Sequence, residues 1–208
     1  VETEEIDIFL GKNYIITYHA QPIRAIERIW EREQKSTRLL TNGANQLLYK
    51  IIDELATDYM YVAENIDEAI DTIEDQLFND PEPIVLEKIF TLKRDLLHLR
   101  RIIAPQREVV NKLARGDYEL INQESRIYFR DVHDHFLRLY DILENLRELT
   151  GSALEIYLSV VNNRMNNVMK TLTIITTLFM PISFLVGFFG MNFFQPVEIM
   201  EIWTSPLA

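Results

Sequence analysis

An uncharged segment near the C-terminal end constrains the fold of this chain more than any other feature. From Thr171 to Phe194 no residue carries a charge. A helix rises about 1.5 Å per residue, so this segment would be roughly 36 Å long, enough to cross a hydrocarbon core of about 30 Å. The sequence therefore predicts a transmembrane helix over residues 171–194.

One face of this predicted helix is small or polar, whereas the other faces are apolar. Its residues recur at alternating intervals of three and four, the spacing of one helical face: Asn166, Met169, Thr173, Thr176, Met180, Ser183, Gly187 and Gly190. Such a stripe has two interpretations: close helix packing through small residues, or a pore in which several copies turn this face toward an axis. Met180 is bulky for a packing seam, and Asn166 and Asn192 stand at the two ends, which favours the pore.

The composition limits the classes of function. The net charge of the 208 residues is −11, and an acidic chain lacks the clustered Lys and Arg that a nucleic-acid surface needs. The absence of cysteine excludes disulfides and thiolate metal sites, so cations with oxygen ligands fit better. No nucleophile motif, phosphate-binding loop or metal-hydrolase signature is present. The chain is therefore predicted not to be an enzyme and to need no resident cofactor.

The first 42 residues predict a β-hairpin followed by a helix. Residues 5–19 read as two strands joined at Gly11-Lys12-Asn13. A helix is then expected from Pro22 to about Arg38, with one apolar side: Ile23, Ile26, Ile29 and Trp30.

Two long helices are predicted over residues 43–116. Apolar residues at helical spacing run from Leu48 to Leu77, and again from Ile84 to Ile103, with a Pro-rich turn between these runs. Pro105 predicts a kink, and Arg115-Gly116-Asp117 a turn. Around the first turn lies a set of carboxylates, interpreted either as a solvated face or as a diffuse cation-binding region: Glu64, Asp67, Glu68, Asp71, Glu74, Asp75, Asp80 and Glu82.

A single helix is expected from about Leu120 to Asn192, on the order of 100 Å long. Its first part keeps an apolar seam at three-four spacing, which predicts self-association along the helix: Phe129, Val132, Phe136, Leu139, Leu143, Leu146, Thr150, Ala153, Tyr157 and Val160. Arg164 and Lys170 precede the uncharged segment, and no Lys or Arg follows it. By the positive-inside rule the N-terminal part is cytoplasmic and Asn192 is external.

Three stretches of the sequence resemble the CorA magnesium/cobalt transporter family. The stretch TLFMPISFLVGFFGMNF resembles its first transmembrane helix, which ends in the family signature Gly-Met-Asn, here Gly190, Met191 and Asn192. YFRDVHDH is similar to part of its stalk helix, and FLGKNYIITYH to the last hairpin of its cytoplasmic α/β domain. The resemblance implies a fragment that lacks the start of that domain and the second transmembrane helix.

The residue patterns and the resemblance together predict a mainly α fold with five parts. These are the end of the cytoplasmic α/β domain and a connecting helix (1–42), a helical hairpin with an acidic tip (43–116), a cytoplasmic stalk helix (117–170), transmembrane helix 1 (171–194) and an external loop (195–208). The resemblance implies a homopentamer in a prokaryotic cell membrane, with divalent cations and the lipid bilayer as its other partners.

Several positions acquire roles through this resemblance. The positions matching Asn166, Met169, Leu172, Met180, Ser183 and Asn192 line the family's pore. The hydroxyls of Thr173 and Thr176 and the carbonyls of Gly190 and Met191 would add oxygen ligands for a hydrated ion. Asp131 matches a cytoplasmic divalent-cation ligand whose acidic partner belongs to the neighbouring subunit, and Asp134 lies three residues further on the same helix face. From the residues alone, both aspartates could equally be ordinary solvated carboxylates.

The function so implied is a channel or transporter that moves hydrated Mg²⁺, with Co²⁺ or Ni²⁺ as further cargo, and is gated by intracellular Mg²⁺. One alternative is a zinc transporter of the same superfamily. Another is a membrane-tethered coiled-coil scaffold without transport, which would explain the long helix but not Asn192. A zinc site at His133 and His135 is not expected, because residues two apart point to different helix faces.

Overall fold

A computed structural model describes residues 3–35, 42–79 and 82–191. Asp80, Asn192 and the loop expected at 195–208 lie outside the described residues. The chain divides into two units, Val1–Leu158 and Ser159–Ala208. The elements in chain order are β1 (Ile6–Leu10), β2 (Ile15–His19), α1 (Arg24–Lys35), α2 (Ala44–Asn79), α3 (Pro83–Arg115) and α4 (Arg126–Gly190). The mainly helical fold is thus confirmed.

The two strands form the predicted antiparallel hairpin. Ile8 pairs with Thr17 and Phe9 with Ile16, and the Gly11 N–H donates to the Tyr14 carbonyl at 2.9 Å. Alternate residues of β1 are half-buried, and Ile8 and Leu10 pack against a cluster that contains Leu48, Leu113 and Phe129. The hairpin therefore lies against the bundle formed by the long helices.

Helix α1 forms where a helix was predicted, but the side it buries differs from the predicted apolar side. Ala25 and Ile29 are buried, whereas the side chain of Trp30 is 67% exposed. The buried residues follow one another at one-turn intervals along the helix, and Trp30 lies about 100° away from that row.

Arg28 connects α1 to α2, since its Nε donates to Glu54 Oε2 at 3.0 Å and its Nη2 to Asp58 Oδ1 at 2.7 Å.

Helices α2 and α3 are the two predicted long helices. Pro83 begins α3, where its missing N–H has no helix partner to lose. The helix continues through Pro105 and ends at Gly116, whose φ of 76° lies in the left-handed region that favours glycine. The Gly116 N–H donates to the carbonyls of Lys112 and Leu113.

Helix α4 is continuous over 65 residues, and neither Gly151 nor Pro181 interrupts it. It begins at Arg126, later than the expected start near Leu120. The difference has a local cause: the Asn122 side chain accepts the Ser125 N–H at 2.8 Å, which holds the preceding residues in a turn.

The apolar seam of α4 is buried within its own chain, so the prediction that it mediates self-association is wrong. All its members from Phe129 to Tyr157 are buried, and Val160 is half-buried. Val132, Phe136, Leu139, Leu143 and Leu146 share one core with residues of α2 and α3, among them Ile66, Ile70, Leu96, Leu99 and Ile103. The seam is the α4 side of a three-helix core.

Candidate functional site

The C-terminal part of α4 is a helix whose faces are all exposed. From Val161 to Met191 every residue is exposed. Among the described residues α4 is the one helix long and apolar enough to cross a membrane; its most apolar window has a mean hydropathy of 2.1, with none of it buried. Water is a poor solvent for so much apolar surface. This part of α4 is therefore consistent with a membrane-spanning helix.

The predicted stripe lies along this exposed helix. Met180 is 69% exposed, and Leu178, on the apolar side, is 61% exposed. Exposure in a single chain therefore does not distinguish the stripe from the other faces. At the far end the helix stops at Gly190, and the Met191 N–H donates to the Phe188 carbonyl at 3.3 Å. Asn192, the last residue of the signature, is outside the described part.

The hydroxyls of the stripe donate back to their own helix. Thr173 Oγ1 donates to the Met169 carbonyl at 2.8 Å, and Thr176 Oγ1 donates to the Leu172 carbonyl at 2.9 Å. Their protons are thereby used, and each oxygen keeps lone pairs that can accept a further hydrogen bond. Acceptors of this kind suit the water shell of a divalent cation, because water bound to a cation directs its protons outward. Ser183, also on the stripe, is exposed.

The two candidate metal-binding carboxylates lie on the first part of α4. Asp131 and Asp134 are both exposed, and Asp134 Oδ1 is 3.8 Å from His133 Nδ1. In residues 3–35, 42–79 and 82–191 no group of three or more His, Asp or Glu side chains is placed to hold a metal ion. Within one chain the two aspartates thus offer oxygen ligands without an assembled metal centre.

A polar contact beside Asp131 was not predicted. His135, one helical turn after Asp131, has its Nδ1 3.3 Å from Asp53 Oδ1 of α2, and Lys50 Nζ is 2.7 Å from Asp53 Oδ2. Burial raises the pKa of the nearby Tyr49, and the Asp53 and Asp131 carboxylates add to that rise. Nothing in the sequence marks this contact, because its partners come from helices far apart along the chain.

A second polar cluster connects α3 to α4. Arg100 donates to Tyr140 Oη at 3.1 Å from Nε and 2.7 Å from Nη2, and its Nη1 is 3.0 Å from Glu144 Oε2. The hydrogen bond from Arg147, with the charge of Arg100, lowers the pKa of Glu144 from its usual 4.5. Stabilisation from this carboxylate is present above about pH 4.5 and is lost as the pH falls through the lowered pKa.

Together these features define a class of protein: a helical bundle whose last helix continues as an uncharged, fully exposed segment suited to a lipid bilayer. Within this class the chain belongs to the family described as CorA-like Mg²⁺ transporter protein, whose model matches residues 1–203.

The relatives agree with this assignment. The chain is 37% identical to the cobalt/magnesium transport protein CorA of Thermotoga maritima, over 100% of this chain and 60% of that protein. The complete structure of the CorA magnesium transporter from Methanocaldococcus jannaschii matches with a TM-score of 0.81 and 30% identity, over 91% of this chain and 60% of that chain. A zinc transport protein, ZntB of Yersinia enterocolitica, is 25% identical over 90% of this chain and 56% of its own length. The chain thus spans about three fifths of the length of these relatives.

Proposed function

We propose that this chain is the part of a divalent-cation transporter that lines the pore, with hydrated Mg²⁺ as the cargo. The observation that carries the proposal is the uncharged, fully exposed end of α4, which bears a hydroxyl and thioether stripe and leads into Gly190-Met191-Asn192, in a member of the CorA-like family. Several copies turn the stripe toward a common axis and their apolar faces toward lipid. The resemblance suggests five copies in a prokaryotic cell membrane, with the N-terminal part cytoplasmic.

The chemistry of the stripe suits an ion that keeps its water. Mg²⁺ is small and loses its waters reluctantly, so a fast pathway binds it through hydrogen bonds from those waters. The Asn192 amide and the Gly190 and Met191 carbonyls supply acceptors at the outer end, and Thr173, Thr176 and Ser183 supply them further in. Met180, Leu172 and Met169 form constrictions that close by dewetting, and Asn166 stands at the inner end. The membrane potential supplies about 2.3 kcal/mol per charge per 100 mV, roughly twice that for a divalent ion.

Oxygen ligands and the lack of cysteine support Mg²⁺ over softer metals. The relative named for cobalt and magnesium is also more similar than the one named for zinc. Uptake of Mg²⁺ into liposomes, measured with competing Co²⁺, Ni²⁺ and Zn²⁺, tests the cargo. Mg²⁺ uptake that Co²⁺ and Ni²⁺ inhibit is expected. Uptake of Zn²⁺ in preference to Mg²⁺ would assign the protein to the zinc-transporting branch.

The orientation of the stripe is tested by thiol labelling, for which a chain without cysteine is suited. A Met180→Cys variant is expected to react with a charged, membrane-impermeant thiol reagent when the pore conducts, because its side chain then faces water. Leu178→Cys is the matched control: it is similarly exposed in one chain but lies on the apolar side, and lipid should shield it. Equal labelling of both positions, or labelling of Leu178→Cys alone, would place the stripe away from an aqueous axis.

Asp131, with Asp134 beside it, is proposed to bind regulatory Mg²⁺ on the cytoplasmic side. Acidic subunits repel one another, and Mg²⁺ bound between them would hold the closed arrangement. Asp131→Ala is expected to raise the Mg²⁺ concentration that protects the protein from protease by about tenfold, the equivalent of one lost contact to a charged group. Asp141→Ala removes an exposed carboxylate from the same helix and should change little. An unchanged Mg²⁺ requirement in Asp131→Ala would remove this site from the regulation.

A further inference from the structure

Phe129 of α4 belongs to the cluster packed against the β-hairpin, and beyond it the buried seam of α4 divides between two hydrophobic blocks. The main block contains the α4 residues from Val132 to Leu146 with their partners on α2 and α3. The tip block lies where α2 and α3 approach their connection and consists of Ile73, Leu77, Val85, Ile89, Ala153 and Tyr157. Helix α4 therefore leaves one block at Leu146 and enters the other at Ala153. The half-buried Leu92 of α3 packs against both blocks.

Three consecutive residues that weaken a helix occupy this junction on α4. Thr150 is buried and its Oγ1 donates to the Leu146 carbonyl at 2.8 Å; Ser152 Oγ donates to the Glu148 carbonyl at 3.2 Å. Hydroxyl bonds of this kind compete with the helix ladder and are associated with helix bends. Gly151 lies between them, and Gly/Ser pairs are among the usual positions of kinks.

Packing within one chain does not account for the glycine. Gly151 is exposed, a Cβ atom at this position would meet nothing within 4 Å, and the residue has ordinary helical backbone. Alanine would fit and would favour the helix more strongly. The three helix-weakening residues thus coincide with the point where the seam passes from one block to the other through a buried polar residue, Thr150, instead of an apolar one.

We propose that Thr150–Ser152 is a bending point of α4, at which the tip block moves against the main block while Leu92 stays in contact with both. The proposal concerns motion within residues 1–158 and does not depend on the cargo or on transport. If the bend is not observed, the proposed function is unaffected. If transport is not observed, the proposed bend is unaffected.

Distances between paired spin labels test the bend in the purified protein, since the 208 residues contain no cysteine that would be labelled in addition to the introduced ones. Labels at Asp141→Cys and Leu158→Cys lie on exposed positions on either side of the junction, about 26 Å apart along the helix. Labels at Arg130→Cys and Glu148→Cys, exposed positions about 27 Å apart along the helix, flank the α4 residues of the main block without spanning the junction and serve as the control. The spanning pair is expected to give the broader distance distribution, and Gly151→Ala is expected to narrow it. Equal widths for the two pairs would overturn the proposal.

Hydrogen exchange gives an independent measurement. In Gly151→Ala the amides of residues 151–156 are expected to exchange about fivefold more slowly, the equivalent of the roughly 1 kcal/mol by which alanine favours a helix over glycine. The amides of residues 139–144 should not change. Glu148→Ala, an exposed substitution one turn earlier, should leave both segments within about twofold. If amide exchange slows equally along the whole of α4, or does not slow at all, the junction is no more flexible than its surroundings.

Discussion

An Asn192→Ala variant is expected to lose about nine tenths or more of the Mg²⁺ uptake of the unaltered protein. The amide oxygen is proposed to accept hydrogen bonds from the water shell of the ion, and a hydrogen bond to a charged group contributes about 1.5–3 kcal/mol. The loss of one such hydrogen bond corresponds to about a tenfold or larger decrease in uptake. The substitution acts on every copy around the axis at once, which increases the effect. Uptake driven by a membrane potential across liposomes measures it.

The matched control is Asn167→Ala, which removes the same side chain from an exposed position on the same helix but off the stripe. It should retain most of the uptake. The comparison separates a transporter from a scaffold that only tethers a helical bundle to a membrane. If Asn192→Ala reaches the membrane in normal amount and takes up Mg²⁺ as the unaltered protein does, the outer amide has no role in conduction.

A Phe136→Ala variant is expected to lower the free energy of unfolding of the three-helix core by about 3–5 kcal/mol. Phe136 is 1% exposed, lies in the main block, and meets the Tyr59 ring edge to face with 6.4 Å between centroids. Its removal deletes buried apolar surface and leaves a cavity that helices on all sides cannot readily close. Urea unfolding followed by circular dichroism should show an earlier midpoint with little change in slope.

The neighbouring residue provides the control for this prediction. Leu137 is partly exposed on the same turn of α4, and Leu137→Ala should change the free energy of unfolding by about 0.5 kcal/mol or less. Similar losses in the two variants would mean that the seam of α4 does not face the core formed with α2 and α3. That result would return the seam to a role between copies of the chain.

The sequence allowed the elements to be predicted because their signals are local. Alternation around Gly11-Lys12-Asn13 indicated the hairpin, three-four spacing indicated the long helices, and Gly116 indicated the end of α3. The boundary near Arg126 was missed because it depends on one side-chain hydrogen bond, from the Ser125 N–H to Asn122, which helical periodicity does not register.

What a periodic pattern cannot provide is the identity of the partner. The seam from Phe129 to Tyr157 requires an apolar surface opposite it, and both a second copy and the α2–α3 hairpin meet that requirement; the fold uses the hairpin. From spacing alone, Trp30 was predicted to lie on the apolar side of α1. Neighbouring rows of a helix are offset by a single residue, and Trp30 lies in the exposed row next to the buried one. The contact between Asp53 and His135 could not be predicted either, because it forms only when α2 and α4 pack side by side.

The full exposure of α4 from Val161 to Met191 has a consequence for the order of assembly. A helix satisfies nearly all of its backbone polar groups internally, so one copy can be inserted into a bilayer before any neighbour is present. Association can then follow as a separate step, between helices that are already in the bilayer. Biogenesis of the proposed oligomer would pass through a membrane-embedded monomer, and the concentration of that monomer in the bilayer would control how much of the oligomer forms.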